Sequence, residues 1–423
     1  MRIAIVGSGI AGLAAAQGLG GTHEVVMYEA AAQPGGHVHT VEADGHAIDM
    51  GFIVCNRERY PRFCALLDEL GIATRPTTMS FSVSDGELEW GSESLAAVFA
   101  DRRRLVDPRH WRFLVHALRF LARARRDLAS ELVEHASLDE YLEARRVSRE
   151  LRDRFVVPLA AALWSLAPAR CGELPARVYL HFLDQHGMLS PIRPLRWHTI
   201  VGGSRRYVDA LLARLHATGR FELRLATPVT RIHRDTAGVT LRAGDEQRFD
   251  RVILATHADT ALALLAEPRA DEQRVLGAFR YTVNRTVLHT DRAHLPRRRA
   301  AHAAWNYVAD PDTSRVAVTY SMTRLQGLPD APYLVTLNPR ARPAGILNEA
   351  DFTHPQFDRE ALAAQAELVR LSGAHRTYYA GAHLGYGFHE DGMRAGLAAA
   401  ARVLLDGTTR DVNELERARG RAS

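Results

Sequence analysis

Glycines at positions 7, 9 and 12 and an acid at position 29 are the first residues whose spacing suggests chemistry. The chain opens Arg2-Ile-Ala-Ile-Val-Gly-Ser-Gly-Ile-Ala-Gly-Leu13. G-x-G-x-x-G after an apolar run suits a strand, turn and helix that hold a diphosphate. Gly7 makes the tight turn, Gly9 lets a ligand touch backbone, and Gly12 lets helix pack on strand. Amides at the helix start face the phosphates with the positive end of the helix dipole. Glu29 ends the next predicted strand, where its carboxylate can accept from a ribose hydroxyl. This unit predicts a dinucleotide site and locates its adenosine end.

A second set lies near the other end of the sequence, in Gly387-Phe-His-Glu-Asp-Gly-Met-Arg-Ala-Gly396. His389 and Glu390 are the candidate catalytic residues there, as proton donor or acceptor. Glu390 and Asp391 equally suit the acidic first turn of a helix. Asp49 reads as a brace for a loop. Asn56, Arg57 and Tyr60 can line a site or cap a surface helix. Tyr386 and Phe388 can form an aromatic wall, while Trp164 and Trp197 read as core. Trp305, Asn306 and Tyr320 fall on predicted strands with either face inward. No H-x-x-x-H with a flanking acid sits on a convincing helix, so no metal site is expected. His198, His257 and His289 read as local hydrogen-bonders, and no Ser-His-Asp arrangement is signalled.

The elements that must position these residues are legible in the pattern. The chain has 423 residues, 47% of them hydrophobic, enough for two or three domains with large cores. A net charge of +5 at this length does not call for nucleic acid, and none is expected. Every basic residue is Arg. Cys55, Cys64 and Cys171 lie on different segments or far apart, which argues against a disulfide framework. The opening strand leaves no room for a signal peptide, and the most apolar run, residues 155–167, is too short to span a bilayer, which takes roughly 20 residues. A soluble protein of a reducing compartment, the bacterial cytoplasm, is expected.

Residues 1–76 read as the first part of a nucleotide-binding domain. Residues 77–200 read as a helical part, with apolar residues at three- and four-residue steps over 111–126. Residues 201–265 return to the nucleotide domain after a Gly202-Gly203-led helix, and its strand 249–256 reads as buried. Residues 266–368 are β-rich, with predicted strands over 282–290, 303–308, 315–322 and 333–337. Residues 369–410 bring a last strand and an apolar helix, and 411–423 form a polar tail that frays after Leu405. One domain is thus assembled from the start, middle and end of the sequence.

These motifs resemble the flavoproteins of the amine oxidase, protoporphyrinogen oxidase and phytoene desaturase type. The resemblance spans nearly the whole chain. It rests on the Gly7-to-Glu29 unit, the doublet Gly35-Gly36, Ile48-Asp49-Met50-Gly51-Phe52, Gly202-Gly203, Val252-Ile-Leu-Ala-Thr256, and the closing Ala380-Gly381 strand with its helix near Gly392. It implies an α/β fold: a discontinuous Rossmann-like FAD-binding domain with an inserted α+β substrate domain. It implies FAD, bound non-covalently, on Gly7, Gly9, Ile10, Ala11, Gly12, Glu29, Ala30, Gly35, Gly36, His37, Gly51, Phe52, Val229, Ala255, Gly381, Ala382, Gly392 and Met393. The doublet approaches the FAD diphosphate from a second side, and the closing helix start stabilises negative charge on the reduced flavin. Two positions depart from the family. His37 stands where an Arg is common, and Ala382 where an acid often bonds the ribityl chain, so that His383 or a backbone contact must substitute.

The sequence is similar to a bacterial subgroup of predicted NAD/FAD-binding oxidoreductases with closing segments like Gly385-Tyr-Gly-Phe-His-Glu-Asp-Gly392. Members often accompany enzymes that modify unsaturated fatty acyl chains. The implied function is an FAD-dependent oxidoreductase transferring a hydride between flavin N5 and a hydrophobic substrate, favoured as desaturation or saturation of a lipid or fatty acyl carbon–carbon bond. An amine oxidase, a flavin-dependent double-bond isomerase and a non-catalytic flavin-binding partner protein are the alternatives, and a homodimer is compatible with all. The nine arginines from Arg102 to Arg126, interleaved with apolar residues, suit either a solvated helix face or peripheral contact with an anionic membrane.

Overall fold

The computed structural model describes residues 1–164, 166–189, 195–309, 317–329 and 331–420, with backbone alone beyond residue 407. Five parallel strands form the nucleotide sheet, in the spatial order Phe221–Arg224, Glu24–Tyr28, Arg2–Val6, Arg251–Leu254, Thr377–Tyr379. The chain therefore returns to one sheet from its start, its middle and its end. These strands read as near-continuous apolar runs because both faces are covered. Ile3 and Ile5 meet the helix Ile10–Gly18 and the closing helix His389–Gly420. Ala4 and Val6 point the other way, toward Val239 and Leu241 of a three-stranded antiparallel sheet and toward Val275 and Leu368 of the helices Ala270–Gly277 and Arg359–Leu371. A buried ion pair, Arg234 to Glu272 at 2.6 Å, joined by the Tyr379 hydroxyl at 2.8 Å, ties that small sheet to the last parallel strand.

The second sheet has seven strands in the order Ile346–Gln356, Arg280–His289, Leu334–Leu337, Ala317–Ser321, Trp305–Val308, Phe81–Ser84, Glu89–Gly91. A layer of helices shares a core with one end of it, bringing Phe113, Phe120, Leu159 and Leu180 against Trp90, Tyr307 and Val318. A short three-stranded sheet, Val54–Cys55 with Trp197–Ile200 and Thr74–Thr77, clasps the two halves.

Several expectations change. The stretch 77–200 is not only helical, because Phe81–Ser84 and Glu89–Gly91 extend the large sheet. The strand Ile346–Gln356 was not foreseen: it is an edge strand, half exposed and carrying Pro355, and so lacks an apolar signature. The expected strand 315–322 starts at Ala317; positions 315 and 316 lie outside the described residues, as does Ser165 of the apolar run. The tail does not fray after Leu405 but continues the closing helix to Gly420, through Glu, Arg and Leu, which favour helix, with no proline; residues 421–423 lie outside the described part. Cys55 and Cys64 are free but are neighbours, since each thiol is the other's largest influence. No helix among the described residues is long and apolar enough to cross a membrane.

Candidate active site

One cavity of about 560 Å³ runs from Gly7 and Gly9 at the C-terminal end of the parallel strands to Trp305 and Tyr320 on the second sheet. Its first part is a cradle of glycines. Gly7 has φ +102°, and a Cβ there would lie 2.7 Å from the Ala255 carbonyl oxygen. The doublet folds back on this loop, so that a Cβ on Gly36 would lie 3.0 Å from the Gly9 Cα. Gly9 itself meets no protein atom on that side, which leaves its backbone open to a ligand. Glu29 lines the cradle and is held by Ser8, whose amide and hydroxyl donate at 2.9 and 2.6 Å to one carboxylate oxygen; Ala31 N–H donates to the other at 2.9 Å. The oxygen that accepts only from Ala31 retains a lone pair for a hydroxyl.

Two buried carboxylates fix the loops around the cavity. Asp49 is fully buried and accepts from Ser204 N–H and its hydroxyl, both at 2.9 Å, and from Gln326 Nε2 at 3.2 Å. Burial pushes its carboxyl up to about 6, against donors from Thr40 and Ser204. It is therefore a brace between Ile48–Phe52 and the helix Arg205–His216. Asp391 accepts from Tyr386 N–H at 2.9 Å and Phe388 N–H at 3.1 Å, and pairs with Arg394 at 2.9 Å. It shapes the turn that places Tyr386 and Phe388 on the cavity wall.

The two candidate proton carriers separate. His389 lines the cavity, stacked on Phe52 with ring centroids 3.8 Å apart, and its Nε2 is 2.7 Å from the Tyr207 hydroxyl. Burial pushes its imidazole down to about 3, so it is neutral. Tyr207 is buried and holds its proton well above the ordinary range, and it donates to His389. Glu390 does not line the cavity. It accepts from Phe63 N–H at 3.0 Å and Arg62 N–H at 3.2 Å, anchoring the start of the helix Pro61–Glu69. The site reading of Glu390 gives way to its helix-start reading, although the helix it holds is not its own.

Of the residues implied for FAD, the cavity is lined by Gly7, Gly9, Ile10, Ala11, Glu29, Gly35, Gly36, His37, Gly51, Phe52, Ala255, Gly381 and Ala382. Gly12, Ala30, Val229, Gly392 and Met393 do not line it. Gly12 and Gly392 serve close backbone packing, and a Cβ on Gly392 would lie 2.7 Å from Ile10 Cγ2. Met393 is buried in the helix–sheet core, and Val229 packs against the core on the sheet's other face. His383, beside Ala382, lines the cavity with a buried Nε2 that has no protein partner. Tyr60, Trp164, Trp305 and Tyr320 line the cavity, whereas Asn306 is engaged with Ser82 and backbone, and Arg57 pairs with Asp68 at the surface. His289 is a local hydrogen-bonder to Thr336, as expected, but His257 faces the cavity.

The far part of the cavity is an aromatic chamber with Trp164, Phe182, Trp305, Tyr320, Phe357 and Phe388 among its walls. Glu29, at the opposite end, is the only Asp, Glu, Arg or Lys among the described residues lining the whole cavity. The chamber holds one group that sequence reasoning missed. His186 follows the helix Ala176–Gln185, stacks on Phe182 at 3.7 Å between centroids and lies 5.2 Å from Trp197. Its Nδ1 is 3.0 Å from the Phe182 carbonyl oxygen. A carbonyl only accepts, so Nδ1 carries the proton and Nε2 keeps its lone pair. Burial pushes this imidazole down to about 4. No local spacing signals it, because the other rings around it, Trp197, Trp305 and Phe388, come from distant segments. Among the described residues no cluster of His, Cys, Asp or Glu is arranged to hold a metal.

Residues 10–335 match the family model described as flavin containing amine oxidoreductase. Solved structures with the same fold include a fatty acid isomerase from P. acnes that produces CLA, at 17% identity and a TM-score of 0.70, covering 95% of this chain and 98% of that one. Cyclohexylamine oxidase from Brevibacterium oxydans IH-35A matches at 18% identity and a TM-score of 0.70, covering 96% and 99%. A putrescine oxidase bound to putrescine matches at 16% identity and a TM-score of 0.67, with the same coverage of 96% and 99%. At such identities these likenesses speak to the fold. No curated protein matches the sequence.

Proposed function

Since the chain belongs to the flavin-containing amine oxidoreductase family and is an FAD-dependent oxidoreductase with non-covalently bound cofactor, we propose that it transfers a hydride between the flavin and a carbon–carbon bond of a lipid or fatty acyl chain. The cradle fits such a cofactor: open backbone at Gly9, a ribose acceptor at Glu29, and a partnerless His383 Nε2 further along the same wall. FAD, when bound, supplies hydride acceptance and return at N5. The protein's part is to bind the chain, exclude water and handle a proton. One observation carries the substrate reading: the chamber is aromatic and aliphatic, with no carboxylate or guanidinium among its described residues. An ionic head buried there would lack a counter-charge, while an acyl chain gains about 0.8 kcal/mol per buried methylene.

The second reading, amine oxidation, is favoured by the edge-on pair Trp305 and Tyr320, whose centroids are 5.4 Å apart and which offer ring faces to a substrate nitrogen. Anaerobic mixing separates them. Linoleic acid is expected to bleach the flavin, or to leave as a double-bond isomer with the flavin spectrum restored; cyclohexylamine is expected to do neither. Bleaching by the amine alone would overturn the lipid reading.

A lipid substrate also gives meaning to the arginine-rich segment. The helix Pro108–Asp127 buries Phe113, Phe120 and Ala124, yet Trp111, Val115 and Leu118 form an exposed stripe beside the row of Arg112, Arg119 and Arg123. Thirteen large hydrophobic residues are exposed among the described ones, and six fall between Leu95 and Leu118, three of them on this helix. The segment is suited to lie in an anionic bilayer surface. Wild-type protein is expected to co-sediment with phosphatidylglycerol vesicles at low salt, and Leu118→Glu with Arg112→Glu to abolish this. Absence of wild-type binding would sink the membrane contact.

A further inference from the structure

The diphosphate of FAD carries two fixed negative charges, yet the described residues lining its cavity include no Arg or Lys. Three imidazoles stand beside the glycine cradle instead. His37 follows Gly36 directly. His257 lies two residues past Ala255, whose carbonyl closes on Gly7. His354 comes from the edge strand Ile346–Gln356. The His37 ring centroid is 5.7 Å from that of His354 and 6.2 Å from that of His257, and all three rings line the cavity.

We propose that His37, His257 and His354 form the counter-charge for the FAD diphosphate, the cluster taking up a proton when the cofactor binds. The hydrogen bonds favour this. His37 Nε2 is 3.1 Å from the Thr353 carbonyl oxygen and must donate to it, so its Nδ1 bears a lone pair. Facing a phosphate oxygen, that nitrogen is repelled unless it is protonated. His354 Nδ1 accepts from Asn284 Nδ2 at 2.8 Å, which leaves an Nε2–H to donate. His257 stacks on Tyr281 at 4.3 Å.

The remaining titratable groups around the cluster are few. Asp259, on the helix after His257, raises its proton affinity; His383 and His389 are themselves neutral neighbours; Tyr281 keeps its proton; Glu29 lies along the same cavity. Burial, with repulsion from neighbouring imidazoles, holds His37 near 3 and His354 near 4, and burial lowers His257, so the cluster is uncharged without a ligand. Two nearby anionic charges reverse the sign of that shift.

The direction of the pH effect follows. Between the low proton affinity of the free cluster and the raised one of the complex, each proton taken up weakens binding tenfold per pH unit as pH rises. Apo-protein titrated with FAD from about pH 5 to about pH 8 is expected to show Kd rising by up to tenfold per unit and levelling off once pH passes the raised proton affinity of the complex. Riboflavin, which lacks the diphosphate, should bind with no such slope. His37→Gln is expected to weaken FAD binding and flatten the slope. His37→Arg, carrying a permanent charge, is expected to bind FAD tightly at both ends of the range. A wild-type Kd independent of pH, or His37→Gln keeping both affinity and slope, would overturn the proposal. The titration uses no substrate, so it stands or falls apart from the lipid reading.

Discussion

Gly12→Ala is expected to give a folded protein that purifies without flavin. A Cβ at this position would overlap the carbonyl oxygen of Gly7 and come within 3.4 Å of the Ala255 Cβ. The Gly7 oxygen is backbone, held in the turn that joins the first strand to the first helix, and it cannot swing aside as a side chain would. The helix Ile10–Gly18 must therefore slide away from the sheet, taking its N-terminal amides out of line with the cradle. Overpacking of this kind costs about 1–3 kcal/mol of stability, which a domain with this much core can absorb. The cradle is less tolerant, because misplaced amides lose both their hydrogen bonds and the alignment of the helix dipole. FAD affinity is expected to fall at least 100-fold, read from visible flavin absorbance per protein and from titration of FAD into the apo-protein. Gly9→Ala makes the complementary test: its Cβ meets no protein atom within 4 Å, so the fold should be untouched while the ligand's space is taken. If Gly12→Ala keeps its FAD, the loop is not the diphosphate cradle.

How much of this was legible depended on whether the cause was local. The parallel sheet and its cradle announce themselves because close backbone approach admits only glycine, and because strands covered on both faces must be apolar throughout. Asp49 could be read as a brace because a lone acid inside an apolar segment must find donors. Other features are made by distant pieces. The aromatic chamber draws Phe182 from one helix, Trp305 from the second sheet and Phe388 from the closing turn, with no shared period in the sequence. Glu390 shows the same limit, since its partners are the amides of a helix more than three hundred residues earlier in the chain. His37 could be seen to replace an arginine, but that His257 and His354 gather around it needed the return of two strands to one place.

His186→Gln is expected to slow anaerobic flavin reduction by roughly 100-fold or more while leaving flavin content unchanged, a typical effect of removing a positioned base. When a hydride leaves a carbon–hydrogen bond for the flavin and a double bond forms, the second hydrogen must depart as a proton. Tyr320 cannot take it: burial pushes its hydroxyl up to about 12, and it stays protonated. His389 has its Nε2 committed to Tyr207. His186 Nε2 carries a lone pair with no protein partner, and its tautomer is fixed by the Phe182 carbonyl. An imidazole held down to about 4 is a weak base, but hydride departure leaves a carbon framework with cationic character, whose remaining protons are strongly acidic. The sign of the pH dependence is then set. The base form predominates above about 4, so the wild-type reduction rate should be flat through neutral pH and fall only as pH drops through that value. His186→Phe keeps the stacking on Phe182 and Trp197 while removing the nitrogen, and is expected to be as slow as the Gln variant. Dithionite, which needs no proton acceptor in the chamber, should bleach all three proteins at one rate. Full-speed reduction by linoleic acid in either variant would mean that the proton leaves by another route.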